Sequence, residues 1–239
     1  MSERIVAEGR SVILYDDSVA RQAGAEWFSP RHWGRRTGLR RLMGGGRGNI
    51  WIVTAPGGDW VLRHYRRGGW AAKITTDFYW WRGIERSRPW REWRLLHTLY
   101  KEGLPVPQPV AARVIRHGWL YRGDLITRLI PACRSLAAIL RESAIEDLPW
   151  EAIGRCIRRF HDSGVCHADL NAHNVMIDEH DQVFLVDFDK GERGTRSRHW
   201  RDGNLKRLRR SLHKLAAAAV IERGAWKALL QGYTQDAQG

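Results

Sequence analysis

The sequence predicts an α+β chain in two parts: a small antiparallel sheet with one helix over residues 1–128, then a mainly helical part over residues 129–239. Three observations carry this. Short apolar runs broken by glycine-bearing turns crowd the first part, helical periodicity dominates the second, and a hairpin pattern flanked by polar residues lies between Cys166 and Asp189.

Leu39 to Met43, Ile50 to Ala55 and Trp60 to Tyr65 read as three strands. Gly44-Gly45-Gly46-Arg47-Gly48 links the first two, and Pro56-Gly57-Gly58-Asp59 is an ordinary turn between the second and third. Gly44, Gly45, Gly46 and Gly48 would let the backbone come close to a phosphate chain and aim N–H groups at it. A helix follows from near Pro89, a favoured first-turn residue, to Tyr100, and stops at Gly103 before Pro105, Pro107 and Pro109. Leu95, Leu96 and Leu99 share a face with Glu92. A carboxylate on an apolar face needs a partner to offset its desolvation, and Arg63 on the third strand is the candidate.

Val110 to Val114 and Leu120 to Arg128 read as further strands, and Leu129-Ile130-Pro131 as a hinge. Ser135 to Arg141 and Pro149 to His161 read as helices, the second with Ile153, Ile157 and Phe160 at helical spacing and Gly164 as its stop. A last helix is expected from about Leu205 to Arg223, with Leu205, Leu208, Leu212, Leu215 and Ala219 in one stripe. Its basic face, with Lys206, Arg207, Arg209, Arg210 and Lys214, suits solvent first and an anionic bilayer surface as the alternative.

The chain carries 40 Lys and Arg against 26 Asp and Glu, a formal charge of +14, so an anionic partner is expected. The excess is uneven: Trp27 to Gly58 holds six arginines and no acidic residue. Between Arg66 and Arg88, cations alternate with Trp70, Phe78, Tyr79, Trp80 and Trp81, a pattern that suits stacked single-stranded nucleic acid, a membrane interface or simply core packing. Cys133, Cys156 and Cys166 are odd in number and lack C-x-x-C spacing, so a reducing compartment is the expectation rather than a disulfide framework or zinc site. Met1-Ser2-Glu3-Arg4 reads as neither signal nor transit peptide, and the apolar run Leu215 to Ile221 is too short to cross a bilayer.

The chemistry is concentrated in His167-Ala168-Asp169-Leu170-Asn171-Ala172-His173-Asn174, followed by Asp187-Phe188-Asp189. Asp169 and Asn174 have the H-x-D-x-x-x-x-N spacing of a kinase catalytic loop, and Asp187 stands where a kinase metal-binding turn begins. Val175 to Ile177 and Val183 to Val186, with a polar turn at Asp178 to Asp181, form the hairpin between them. Phosphoryl transfer needs alignment and charge neutralisation more than covalent chemistry. Asp169 is thus the candidate base, and Asn174 and Asp187 the candidate Mg²⁺ ligands on a bound ATP. Arg63 occupies the strand position where a kinase carries its phosphate-contacting lysine, with Glu92 as its helix partner. A protein-kinase-like, two-lobed fold is what resemblance to kinases at these positions implies.

Across nearly its whole length the chain resembles the lipopolysaccharide kinase family, and within it the kinases acting on 3-deoxy-D-manno-octulosonic acid (Kdo). The resemblance is carried by Val61-Leu62-Arg63-His64-Tyr65-Arg66-Arg67-Gly68-Gly69, Arg91-Glu92-Trp93, Gly103-Leu104-Pro105-Val106-Pro107, the His167 to Asn174 loop and Val186-Asp187-Phe188-Asp189-Lys190. It implies ATP-dependent phosphorylation of a Kdo hydroxyl, at the 4 position, on a lipid A precursor during inner-core biosynthesis. It also implies peripheral attachment to an anionic membrane surface at the cytoplasmic face of the inner membrane, with no nucleic acid as partner. Carried over residue by residue, it makes His167 structural rather than a proton carrier. Asp189 departs from the glycine of D-F-G and no A-P-E segment follows, so an activation loop controlled by phosphorylation is not expected. Rival readings are a kinase of another sugar, an aminoglycoside-like molecule or a protein, and, in a different class, a basic nucleic-acid-binding protein.

Overall fold

The computed structural model describes residues 2–19, 22–34, 40–42, 50–66, 77–142, 145–194, 199–216 and 220–235. They divide into two units, residues 1–97 with 108–129 and residues 98–107 with 130–239. The sequence places one boundary after residue 128, whereas the chain leaves the first unit at Thr98 and returns at Gln108. One helix, Arg88–Lys101, has residues in both units, because its N-terminal turns carry the apolar face against the sheet and Leu99 is buried further on.

The first unit is an antiparallel sheet. Its strands are β1 (Glu3–Glu8), β2 (Ser11–Asp16), β3 (Arg40–Leu42), β4 (Ile50–Ala55), β5 (Gly58–His64), β6 (Tyr79–Trp80), β7 (Pro109–His117) and β8 (Leu120–Arg128). Among the described residues their order is β1-β2-β7-β8-β5-β4-β3, with β6 also paired to β8. The sheet is larger than the sequence suggests. The β1–β2 hairpin turns at Gly9, where φ is +58°, and Ile5 stays exposed, so β1 lacks the two-sided burial that would mark it in sequence.

One sheet face buries Ile13, Val53, Trp60, Leu62 and Ile126 beneath a short segment that supplies Phe28 and Trp33, the latter from α1 (Pro30–Gly34). The other helix of this unit, α2 (Arg88–Lys101), starts one residue before Pro89. Pro89 lies over Gly123 of β8, where an added Cβ would stand 2.7 Å from the ring. The α2 stripe is Trp90, Glu92, Trp93 and Leu96, while Leu95 is only half-buried.

In the second unit, β9 (Arg134–Ser135) leads into α3 (Leu136–Ile139), whose first turn is capped by Ser135 Oγ accepting from Ala138 N–H. Then come α4 (Trp150–Asp162), β10 (Val165–Cys166), β11 (Val175–Ile177), β12 (Val183–Leu185), β13 (Glu192–Arg193), α5 (His199–Leu212) and, after one wide turn, α6 (Trp226–Thr234). The single helix expected over Leu205 to Arg223 is not formed. α5 begins earlier, ends at Leu212 and passes into a turn; residues 217–219 lie outside the described residues.

α4 packs closely on α6 because each helix offers a glycine at the crossing. A Cβ on Gly154 would collide with the backbone at Leu229, and one on Gly232 with the backbone at Glu151. Backbone cannot give way as a side-chain tip can. Gly154→Val is expected to lower stability by about 1–3 kcal/mol, read as a reduced chemical-denaturation midpoint, whereas the same change at Gly203, where a Cβ meets nothing within 4 Å, costs less.

Candidate active site

In the first unit, β5 sets Arg63 opposite Leu125 of β8 and Ile50 of β4. Its guanidinium forms an ion pair with Glu92, whose side chain is 1% exposed. Tyr65, just past the end of β5, donates its hydroxyl to the other Glu92 oxygen. Sequence spacing found the charges; it missed Tyr65, which looks like any strand aromatic. Burial first, then the Glu92 charge, pushes the Tyr65 hydroxyl well above its ordinary range, so it remains a donor. Removing Arg63 would leave the buried carboxylate without this cation, a loss of about 3–5 kcal/mol. A pocket of about 270 Å³ lies against Arg63, with Trp51, Leu62, His64, Arg66 and Arg113 in its walls. Gly44, Gly45, Gly46 and Gly48 lie outside the described residues.

In the second unit, the loop after β10 is closed by its own asparagines. Asn171 and Asn174 both donate side-chain N–H to the carbonyl of Asp169, each at 2.9 Å. The Asn174 amide is thereby oriented by its nitrogen, and its Oδ1 is the end left to accept. The β11–β12 hairpin forms in the register Val175↔Leu185, Met176↔Phe184 and Ile177↔Val183. Asp178 Oδ1 closes its turn by accepting from His180 and Gln182 N–H at 2.9 and 2.8 Å.

The hairpin returns the chain to the loop at Val186. Its N–H donates to the Asn174 carbonyl at 3.1 Å, and its carbonyl accepts from His167 Nε2 at 2.9 Å. The same imidazole accepts the Asp169 N–H at Nδ1, 3.3 Å. Those two bonds fix the neutral tautomer with the proton on Nε2. Asp187 follows with φ +66°, a left-handed conformation in a residue other than glycine. Phe188 is fully buried between the rings of Phe160 and His167, at 5.7 and 4.6 Å. Asp169, Asn174 and Asp187 are thus tied into one hydrogen-bonded segment.

Helix α5 is the part of this site that the sequence reading overlooked. Asn204 Oδ1 accepts from His167 N–H at 3.2 Å, Ser211 Oγ accepts from Ala172 N–H at 3.1 Å, and Arg207 Nη1 donates to Asp169 Oδ1 at 3.0 Å. These residues recur at helical spacing beside the Leu205, Leu208 and Leu212 stripe. The polar stripe is visible in the sequence, yet its partner surface is not.

The donor set offered by Asn174 and Asp187 is hard oxygen, which fits Mg²⁺ sharing its remaining positions between phosphate and water. No thiol enters it: burial pushes Cys156 up to about 12, and Cys166 packs under Asn204.

The family model described as "Lipopolysaccharide kinase (Kdo/WaaP) family" matches residues 40–233. A 3-deoxy-D-manno-octulosonic acid kinase from Stenotrophomonas maltophilia (strain R551-3) is 47% identical over 219 residues, covering 90% of this chain and 86% of the relative. Another from Xanthomonas axonopodis pv. citri (strain 306) is 46% identical over 207 residues, covering 87% and 82%. Among solved structures, a chain of the yeast RNA Pol II CTD kinase CTDK-1 complex matches with TM-score 0.40 and 16% identity, over 66% of this chain and 47% of that one. That last likeness is too distant to carry weight.

Burial lowers both His167 and His161, the latter to about 4, where it shares a 2.7 Å hydrogen bond with the Tyr233 hydroxyl. In the unfolded chain an imidazole protonates near 6.5. For His161, between about 4 and 6.5 the unfolded state therefore binds the extra proton, so stability is complete above this window and falls as pH drops through it, by up to about 1.4 kcal/mol per pH unit; the lowered His167 acts in the same direction. The expected NMR titration shows the His161 ring neutral at pH 6 and protonating near 4; ordinary titration near 6.5 would refute the buried neutral assignment.

Proposed function

The chain belongs to the lipopolysaccharide kinase (Kdo/WaaP) family, and from that premise we propose that it transfers the γ-phosphoryl group of ATP to the 4-hydroxyl of a Kdo sugar on a lipid A precursor. It is a phosphotransferase with an alcohol-type acceptor. The observation that carries the Kdo assignment is the 46–47% identity, over most of both chains, to kinases named for that sugar acid. The bound segment of Asp169, Asn174 and Asp187 supports the chemistry.

In this reading Asp169 orients the acceptor hydroxyl and takes its proton. Asn174 Oδ1 and the Asp187 carboxylate would hold Mg²⁺, which when bound neutralises charge on the nucleotide phosphates. Arg63 contacts nucleotide phosphate and keeps its geometry through Glu92 and Tyr65. His167 transfers no proton, since both ring nitrogens are committed to backbone groups.

Purified protein incubated with labelled ATP and Mg²⁺ is expected to label a Kdo-bearing lipid A precursor, and not an aminoglycoside or a generic protein, with the phosphate at the 4 position by NMR of the product. Label only on the other acceptors would refute the assignment. Asp169→Asn and Asp187→Ala are each expected to lower kcat by about 10²–10⁴-fold with the circular dichroism spectrum unchanged. Undiminished turnover in either would remove that residue from the chemistry.

The acceptor is a lipid, so a membrane-facing surface is part of the reading, at the cytoplasmic face of the inner membrane. No helix among the described residues is long and apolar enough to cross a membrane. Trp80 and Trp119 are 65% and 79% exposed and come from adjacent segments, Trp80 pairing with Leu120 and Trp81 N–H donating to the Trp119 carbonyl at 2.9 Å. Arg82 and Arg116 lie beside them, Arg116 over the Trp81 ring. Exposed indoles with cations suit headgroup depth. Replacing Trp80 and Trp119 by Ser is expected to weaken binding to vesicles containing anionic phospholipid by about tenfold or more, leaving ATP binding intact; unchanged vesicle affinity would exclude this surface.

A further inference from the structure

Asn204 and Ser211 of α5 bond to backbone N–H groups of the catalytic loop and serve to hold it. Arg207 is different, because its partner is the functional carboxylate itself, Asp169. Both side chains are open to solvent, 47% and 59% exposed, and a pair that open adds little stability and exchanges readily. Asp169 meets the acceptor in the reading above, so a guanidinium resting on it stands on the acceptor's side. Lys206 and Arg210 nearby are exposed, and among the described residues neither has an ion-pair partner, so the surroundings favour an anion.

We propose that Arg207 reads the acid group of the acceptor. Its planar fork, matched to a carboxylate, leaves Asp169 and takes the carboxylate of the incoming sugar acid. Asp169 in the acceptor-free chain therefore stands in for the substrate's acid group, and the exchange leaves it open to the hydroxyl that it must orient. Only hydrogen bonds change hands; no covalent bond is made or broken. The inference rests on the Kdo reading, since a sugar acid is ionised at neutral pH and a neutral sugar offers nothing for the fork. A phosphate elsewhere on the lipid presents similar chemistry, and the acid group is the one that can be masked selectively.

The experiment measures initial rates of the wild-type protein, Arg207→Ala and Arg207→Lys on a Kdo-bearing lipid acceptor and on its methyl ester, with ATP varied separately. The wild type is expected to favour the acid over the ester by about tenfold or more in kcat/KM, the scale of one charge-assisted hydrogen bond. Arg207→Ala should lose that preference through a raised KM for the acid, with KM for ATP unchanged. Arg207→Lys should keep a part of it, because the charge remains and the fork does not. Should Arg207→Ala lose helical signal, Arg207→Lys decides alone. No acid preference in the wild type, its persistence in the folded variants, or a rise confined to KM for ATP overturns the proposal while leaving the Kdo reading in place. A wild-type protein that labels neither acceptor overturns the Kdo reading, and this inference with it.

Discussion

A single buried imidazole holds the candidate site of the second unit together. His167 donates to the Val186 carbonyl and accepts the Asp169 N–H, so one ring spans the candidate base and the turn that carries Asp187. The neighbouring geometry is costly without it. A left-handed Asp187 costs about 1–3 kcal/mol and persists only where the surroundings over-determine it. Burial of Phe188 contributes about 1.5–3 kcal/mol, and each of the two hydrogen bonds of Val186 about 1 kcal/mol. The anchors outweigh the strain, and burial keeps the ring neutral, as this bonding pattern requires.

The first unit solves a similar problem with charges. Glu92 is buried on the sheet-facing stripe of α2, where a lone carboxylate would be driven to neutralise. Arg63 and the Tyr65 hydroxyl occupy its two oxygens. Arginine suits this position physically: the guanidinium can keep one N–H group on the glutamate and still have others to offer a second anion, which a lysine would do only as a point charge. In the proposed reading, arginine in place of the usual kinase lysine is therefore a change of shape with the charge retained.

Local patterns were legible and partner surfaces were not. The hairpin could be read because its two apolar runs and acidic turn are contiguous, and Arg63 with Glu92 because a carboxylate on an apolar helix face demands a cation. Tyr65 and His167 carry no such signal: their roles depend on what arrives beside them, the Glu92 carboxylate for the Tyr65 hydroxyl and the Val186 carbonyl for the His167 ring. In α5 the leucine stripe is evident and Arg207 reads as part of a basic face, while the contacts of Asn204, Arg207 and Ser211 with the His167 to Asn174 loop carry no signal in the sequence. The long C-terminal helix failed for a related reason, as apolar spacing continues past Leu212 although the chain turns there. Of the aromatic segment, Tyr79 joins the core and Trp80 does not, a division set by the pairing of β6 with β8.

The central claim, that Asn174 and Asp187 hold the metal of the bound nucleotide beside Asp169, is tested most directly by paramagnetic NMR with Mn²⁺ in place of Mg²⁺ and a non-hydrolysable ATP analogue. The account predicts that the Asn174 side-chain amide and the backbone amides of Asp187 and Asp169 broaden beyond detection only when metal and nucleotide are both present. Sharp, unshifted signals from these groups in the loaded protein would contradict it.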